Sequence, residues 1–465
     1  MNRHFILSIV GVTAFAGLSS AHAQTVTVSK TGSPTYSTIQ EAINHFTSDP
    51  DTNVPNVIQV LDDAVYDELI TITAPLTLEG TGSNRPIITP QLNSGNDGMN
   101  IQIDNGQTSN AVYLRNLIVI PSLTAPPTDD GICSIGQNLY VEIDNVLVTA
   151  NNGSNQPVSV TGLVEVDTSG ATFFGDDGIY LGGTLAPAGP GTEVFLRDTV
   201  VTHLRNAGAG RDGLVLGGNT GTRFNIGEGC VFSYNGRLGI QAGSDVAIEG
   251  SDENPVMIVG NAGFAGLWYG SGSPNVRRVS HAIIANNTAM GIEQQNGGAA
   301  TFELTDSVVV NNGSNALMIA DNLVAAPAAI TRSTLGNSTA GPAIGVSAAN
   351  TFDVTITDSI IIGNGSANAD NTIQHDGTGA LIFSGSAAVT AGPHALTTVT
   401  GGTGTVSGAP TTTADPEFVD TTDFTSDDFF DVAAGVYSTA SSTNGPLGGG
   451  ADFVGTSDVE TWSIY

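Results

Sequence analysis

Four stretches of this chain are versions of one another: VFSYNGRLGIQA (residues 231–242), MIVGNAGFAGLWY (257–269), IIANNTAMGIEQ (283–294) and VVVNNGSNALMI (308–319). Each joins a short β-branched run ending at asparagine to a glycine or alanine followed by an alternating triplet. The small residues of the full series are Gly213, Gly239, Gly266, Gly291, Ala316 and Ala343, spaced 26, 27, 25, 25 and 27. The asparagines are Asn235, Asn261, Asn287, Asn312, Asn337 and Asn364, spaced 26, 26, 25, 25 and 27. Two features that keep one period mark one structural unit per repeat, stacked on its neighbours because it cannot bury its own apolar face.

Helical repeats need longer runs with apolar spacing near 3.6, whereas these runs are short, period-two and punctuated by Gly, Asn, Asp and Ser. The expected fold is all-β, a single right-handed parallel β-helix with like strands about 4.8 Å apart. The asparagine column fits it, since Asn tolerates a left-handed turn and amides stacked coil on coil bond to one another.

Twelve Lys and Arg stand against 44 Asp and Glu, a formal charge of −32, which excludes a nucleic-acid-binding surface built on clustered cations. Charged residues are only 12% and hydrophobics 40%, so the chain is expected to fold. Residues 1–23, with Arg3 before an apolar run and Ala21-His-Ala23 after it, read as a secretory signal peptide, placing the protein outside the cytoplasm. No later stretch has the roughly 20 apolar residues of a transmembrane helix. Cys133 and Cys230 fall about two coils apart, roughly 10 Å, and are expected to be free thiols.

The entry segment Tyr36-Ser-Thr-Ile-Gln-Glu-Ala-Ile-Asn-His-Phe46, the strands at 56–60, 64–68, 69–73 and 75–80, and Asp415-Pro-Glu-Phe-Val-Asp420 with Gly445 to Gly450 resemble the pectate-lyase-like superfamily of right-handed parallel β-helices. The resemblance covers most of the mature chain. It implies an N-terminal strand and capping helix over 24–50, with Ile39, Ala42, Ile43 and Phe46 on one face and Ser37 or Thr38 as N-cap. The solenoid follows over 51–375, then last strands and an Asp/Gly-rich closing segment over 376–465. It does not choose a function, because this fold hosts lyases, hydrolases, esterases, adhesins and proteins without activity.

Of the four motifs of the polygalacturonase-like branch only an Asp pair occurs, and neither pectin methylesterase segment is present. Lyase chemistry needs a base and cations beside a uronate carboxylate; the one lysine, Lys30, precedes the helix, which leaves arginine. Asp-Gly pairs at Asp130, Asp177 and Asp212 open the same strand of successive coils, so Asp129, Asp130, Asp176, Asp177 and Asp212 form an acidic ridge beside Arg211 and Arg237. That ridge is read either as a Ca²⁺ site, with Arg237 and Arg211 as candidate bases, or as turn chemistry with ion pairs. Beside it the outward residues of the triplets, Tyr180, Gln241, Trp268 and Glu293, are candidates for stacking on and bonding to sugars. His281, with Arg277 and Arg278, reads as a cationic patch or, in column with Asp306, Arg332 and Asp358, as a strand-start turn. Asp427, Asp428 and Asp431 are a further acidic cluster. The expected function is an exported protein binding polysaccharide along its long face, with lyase-like activity as an extension; the alternative is a structural or adhesive surface protein.

Overall fold

In the computed structural model the described residues are 23–47, 56–81, 85–89, 101–103, 110–120, 131–134, 139–149, 178–181, 193–202, 212–216, 223–243, 245–270, 276–295, 301–319, 327–363, 372–384, 388–390, 398–400, 403–408 and 411–413. They wind into a parallel β-solenoid with three faces. One coil shows the pattern: Arg277–Ser280 on the first face, Ala282–Ala285 on the second, Met290–Gln294 on the third, then Phe302–Thr305 back on the first. The register repeats the sequence period, pairing Arg277 with Phe302, Ile283 with Val308 and Ile292 with Leu317. The third face is a 12-stranded sheet; the other two form a 25-stranded sheet, because Asn110–Val119 and Leu139–Thr149 run unbroken across both.

The corner between the first two faces is one or two residues wide and turns on a left-handed residue. Asp198, His281, Asp306, Arg332 and Asp358 hold φ between 44 and 49° there, so His281 is a turn residue, as its column implied. The following residue points inward and is often a hydroxyl. Ser307 Oγ accepts from Ala282 N at 3.2 Å and donates to Thr305 O at 2.8 Å, and Ser333 and Ser359 repeat the arrangement. This serine ladder escaped the sequence reading, although Asp306-Ser307 and Asp358-Ser359 signal it.

At the next corner the structure divides between two adjacent residues what the sequence reading gave to one asparagine. The left-handed position belongs to Tyr234, Gly260, Asn286, Asn311 and Asn337. The buried ladder belongs to the residue after each: Asn235 Nδ2 donates to Asn261 Oδ1 at 3.1 Å, Asn261 to Asn287 at 2.9 Å and Asn287 to Asn312 at 3.0 Å. Asn337 is therefore not a rung. Register pairs Val310 with Gly336, which puts Asn337 beside Asn311, bonded at 2.7 Å and exposed, and Ser338 in the ladder. Asn364 lies outside the described residues.

The ladder also explains the glycine column. A Cβ on Gly266 would lie 2.6 Å from Asn287 Nδ2, and one on Gly291 would lie 2.7 Å from Asn312 Nδ2. These glycines are needed for space rather than for φ. Where the rung shrinks to Ser338, the preceding coil carries Ala316 instead.

Inside runs one apolar column that includes Phe232, Ile258, Ile284, Val309 and Leu335, all fully buried; burial of each such side chain contributes about 1.5–3 kcal/mol. Its N-terminal end is closed by the helix Ile39–Thr47, whose Ile39, Ala42, Ile43 and Phe46 are all buried. Thr38 is the N-cap, its Oγ1 accepting from Glu41 N at 3.2 Å. Glu68 takes the Ile39 and Gln40 N–H groups at 3.2 and 3.0 Å. Burial raises the Glu68 pKa against the pull of those two bonds.

The arginines clamp coil to coil. Arg115 pairs with Glu142, Arg197 with Asp144, Arg332 with Asp306, and Arg278 with both Glu249 and Glu303. His281, Arg277 and Arg278 form no cationic patch: strand alternation sends Arg278 outward to those glutamates and Arg277 into the solenoid, where it is buried. Cys133 and Cys230 are buried and form no disulfide, and burial pushes the Cys230 thiol up to about 12.

Candidate functional site

The outer column of the third face is where the chemistry collects. Register runs Tyr180, Val215, Gln241, Trp268, Glu293, Met318 and Gly345 side by side on successive coils, so the expected row of Tyr180, Gln241, Trp268 and Glu293 is one column of neighbours about 4.8 Å apart. The backbone of Tyr180 is described and its side chain is not. The triplet rhythm places them, because the residues flanking Gln241, Trp268 and Glu293 face inward and fix the middle one outward.

Trp268 lies against Gly270, where a Cβ would come within 2.9 Å of the indole Cη2. The missing side chain leaves room for the ring. Its Nε1 is buried and, among the described residues, has no hydrogen-bond partner. Glu293, on the next coil, is 4% exposed. Burial holds its carboxyl above the usual range, with the bond from Gln295 Nε2 to Oε1 at 3.2 Å acting the other way. Oε2 is buried and without a partner among the described residues. An indole N–H and a carboxyl oxygen thus stand on adjacent coils, each with bonding capacity unused.

Arg237 flanks the column at the turn that opens the third-face strand. Its Nε donates to Asp212 Oδ1 at 2.8 Å, and its Nη2 donates to Asp212 Oδ2 and to Gln241 Oε1. Asp212, with only 1% of its side chain exposed, also accepts from Leu238 N at 3.1 Å. The fork-on-fork geometry is the strong form of a charge-assisted pair. It engages both oxygens of Asp212 and holds Gln241 in the row. Arg211, Asp129, Asp130, Asp176 and Asp177 lie outside the described residues, as do Asp427, Asp428 and Asp431. Any Ca²⁺ site on the ridge rests on those aspartates, and among the described residues no three or more His, Cys, Asp or Glu side chains form a metal-binding group.

The sequence reading missed how far the row is sunk into its surroundings. It also took the Asp212–Arg237 pair as one surface option among several, whereas the carboxylate is interior.

No family model matches the chain, and no curated protein sequence matches it. Among solved structures it is similar to the pectate lyase Pel9A, at 11% identity over 92% of this chain and 96% of that one, with a TM-score of 0.43. It is also similar to tailspike protein 3 of bacteriophage CBA120, at 11% identity over 81% of this chain and 58% of that one, with a TM-score of 0.31. The chain itself is a parallel β-helix repeat protein. Among the described residues no helix is long and apolar enough to cross a membrane.

Proposed function

We propose that the protein binds an extended polysaccharide along the outer column of its third face, with Trp268 as the stacking platform and Gln241, Glu293 and Tyr180 as polar partners. The observation that carries this reading is the pair of unused bonding atoms, Trp268 Nε1 and Glu293 Oε2, on adjacent coils of one outward column. A flat ring with polar atoms beside it offers a sugar an apolar face together with hydroxyl partners. The column repeats every 4.8 Å or so, which suits a ligand that is itself extended. With a chain charge of −32 and Asp212 neutralised by Arg237, an uncharged glycan fits better than a polyuronate. Binding without turnover is favoured over lyase chemistry because Arg237 is committed to Asp212 and Gln241. Export through the N-terminal segment belongs to the same reading, since the ligand is then outside the cell.

A glycan array with the mature chain tests it. Trp268→Ala should weaken binding about tenfold, the worth of a ~1.4 kcal/mol stack, with thermal unfolding unchanged. A blank array, or equal binding by Trp268→Ala and Glu293→Gln, overturns the site. Release of unsaturated uronates that vanishes in Arg237→Ala would establish a lyase instead.

A further inference from the structure

Register sets Trp268 beside Glu293 and Glu293 beside Met318, yet neither neighbour caps the carboxyl. The indole rests on Gly270, and the thioether leans away over Gly345, where an added Cβ would meet Met318 Sδ at 2.6 Å. Glu293 Oε1 accepts from Gln295 Nε2 at 3.2 Å, and Gln295 is itself pinned by its N–H to Tyr269 O at 2.9 Å. Oε2 and Trp268 Nε1 are buried with no partner among the described residues, so this acceptor and this donor do not reach each other either.

An indole N–H only donates, and an ionised carboxyl oxygen only accepts. A hydroxyl can accept from the one and donate to the other through a single oxygen. An amine offers donors alone, and a carboxylate or sulfate offers acceptors alone and meets the charge of Glu293. We propose, on the reading that the third face holds a glycan, that one ligand hydroxyl bridges Trp268 Nε1 and Glu293 Oε2, so that the glycan is held while Glu293 is ionised and released in acid.

Two effects of the ligand on Glu293 oppose each other: covering the carboxyl favours its neutral form, and a hydrogen bond to it favours the ionised form. At 4% exposure the carboxyl has little water left to lose, so the bond sets the sign. A bond to a charged acceptor is about twice as strong as one to a neutral acceptor, worth roughly tenfold in affinity. Once protonated, the acid is a second donor aimed at the same oxygen, and the hydroxyl proton loses its acceptor. Burial already holds the carboxyl high in the free protein. The glycan lowers it and drives its proton to the solvent, so affinity is full above the free protein's value and falls as pH drops through it.

Among the described residues no other group takes over this titration. The strands packed most closely on Met290–Gln294 are Ala265–Tyr269, Leu317–Ile319, Ala282–Ala285 and Val308–Val310. Of these only the first carries a titratable side chain, Tyr269, which is buried on the inner side, where the charge of Arg277 acts on it. Arg237 and Asp212 belong to turns two and three coils away, about 10 and 14 Å along the axis, and are paired with each other.

The mature chain is titrated calorimetrically at pH 4, 5, 6 and 7 with cellohexaose, laminarihexaose, xylohexaose and mannohexaose, each in two buffers of different ionisation heat. The unfolding midpoint is read at each pH, so that loss of binding is not loss of fold. Affinity about tenfold lower at pH 4 than at pH 7 and release of protons on binding are expected, both absent in Glu293→Gln. Affinity independent of pH, uptake of protons, or a pH dependence that persists in Glu293→Gln overturns the proposal, while the glycan reading stands if Trp268→Ala weakens binding. Binding of none of the four at any pH, or binding indifferent to Trp268→Ala, sinks that reading and the hydroxyl bridge with it.

Discussion

Replacing Asn287 by Leu removes a side chain at the centre of four buried rungs. Its Nδ2 donates to Ile258 O at 3.0 Å and Asn312 Oδ1 at 3.0 Å, and its Oδ1 accepts from Asn261 N at 3.1 Å and Asn261 Nδ2 at 2.9 Å. In the variant Ile258 O and Asn261 N lose the partners named here, whereas Asn261 Nδ2 keeps Phe232 O and Asn312 Oδ1 keeps Asn287 N. Ile258 O keeps its place in the parallel ladder to Ala282–Ala285, so Asn261 N is the orphaned backbone group, at about 1–3 kcal/mol. Leucine adds to this, because the rung packs on Gly266, where there is no room for even one further carbon. Asn337→Leu is the matched control. It loses one exposed bond to Asn311 and places leucine at φ 49°, about 1–2 kcal/mol in all. Equilibrium urea unfolding, with reversibility checked by refolding, reads both differences. A cost for Asn287→Leu below about 1 kcal/mol, or one no larger than for Asn337→Leu, would refute the assignment of the ladder to the inner residue of each pair.

The glycine column should obey the same geometry: Gly291→Ala destabilises, and adding Asn312→Ser, which copies the natural Ala316 and Ser338 pairing, recovers part of the loss in the urea midpoint. Arg237→Ala should cost about 3 kcal/mol because it strips an interior carboxylate of its partner, whereas Arg278→Ala, on the exposed first face, should cost under about 1 kcal/mol; equal costs would show that Asp212 is solvated in solution. The pH dependence follows from Glu293, whose folded pKa lies above the unfolded one of about 4.5. The folded state holds the proton longer, so stability is fully present below the unfolded value and falls as pH rises toward the folded one. Glu293→Gln should remove that part of the decline and be the more stable protein at neutral pH, measured by unfolding at pH 4 and pH 7; a variant less stable at pH 7 contradicts it.

Much of this molecule is legible one residue at a time. A period of 25 to 27 with β-branched runs forces stacked coils, and alternation within Gly239-Ile-Gln-Ala242 and Gly266-Leu-Trp-Tyr269 already puts Gln241 and Trp268 outside and in one row, because both properties are local and repeat. The helix at 39–47 is equally plain from its apolar spacing. Tertiary structure decided what depends on the neighbouring coil. Asn286 and Asn287 are identical in sequence, yet one absorbs a left-handed turn and the other bonds to the coils on either side; only the register separates them. Arg277 and Arg278 likewise differ by one step of a strand, and that step sends one into the core and the other to Glu249 and Glu303. The depth of Asp212 is set with Arg237 and Leu238 of the adjacent coil, and that of Glu293 between Trp268 and Met318 of the coils on either side. Burial is a property of the assembled surface, and no window of the sequence contains it.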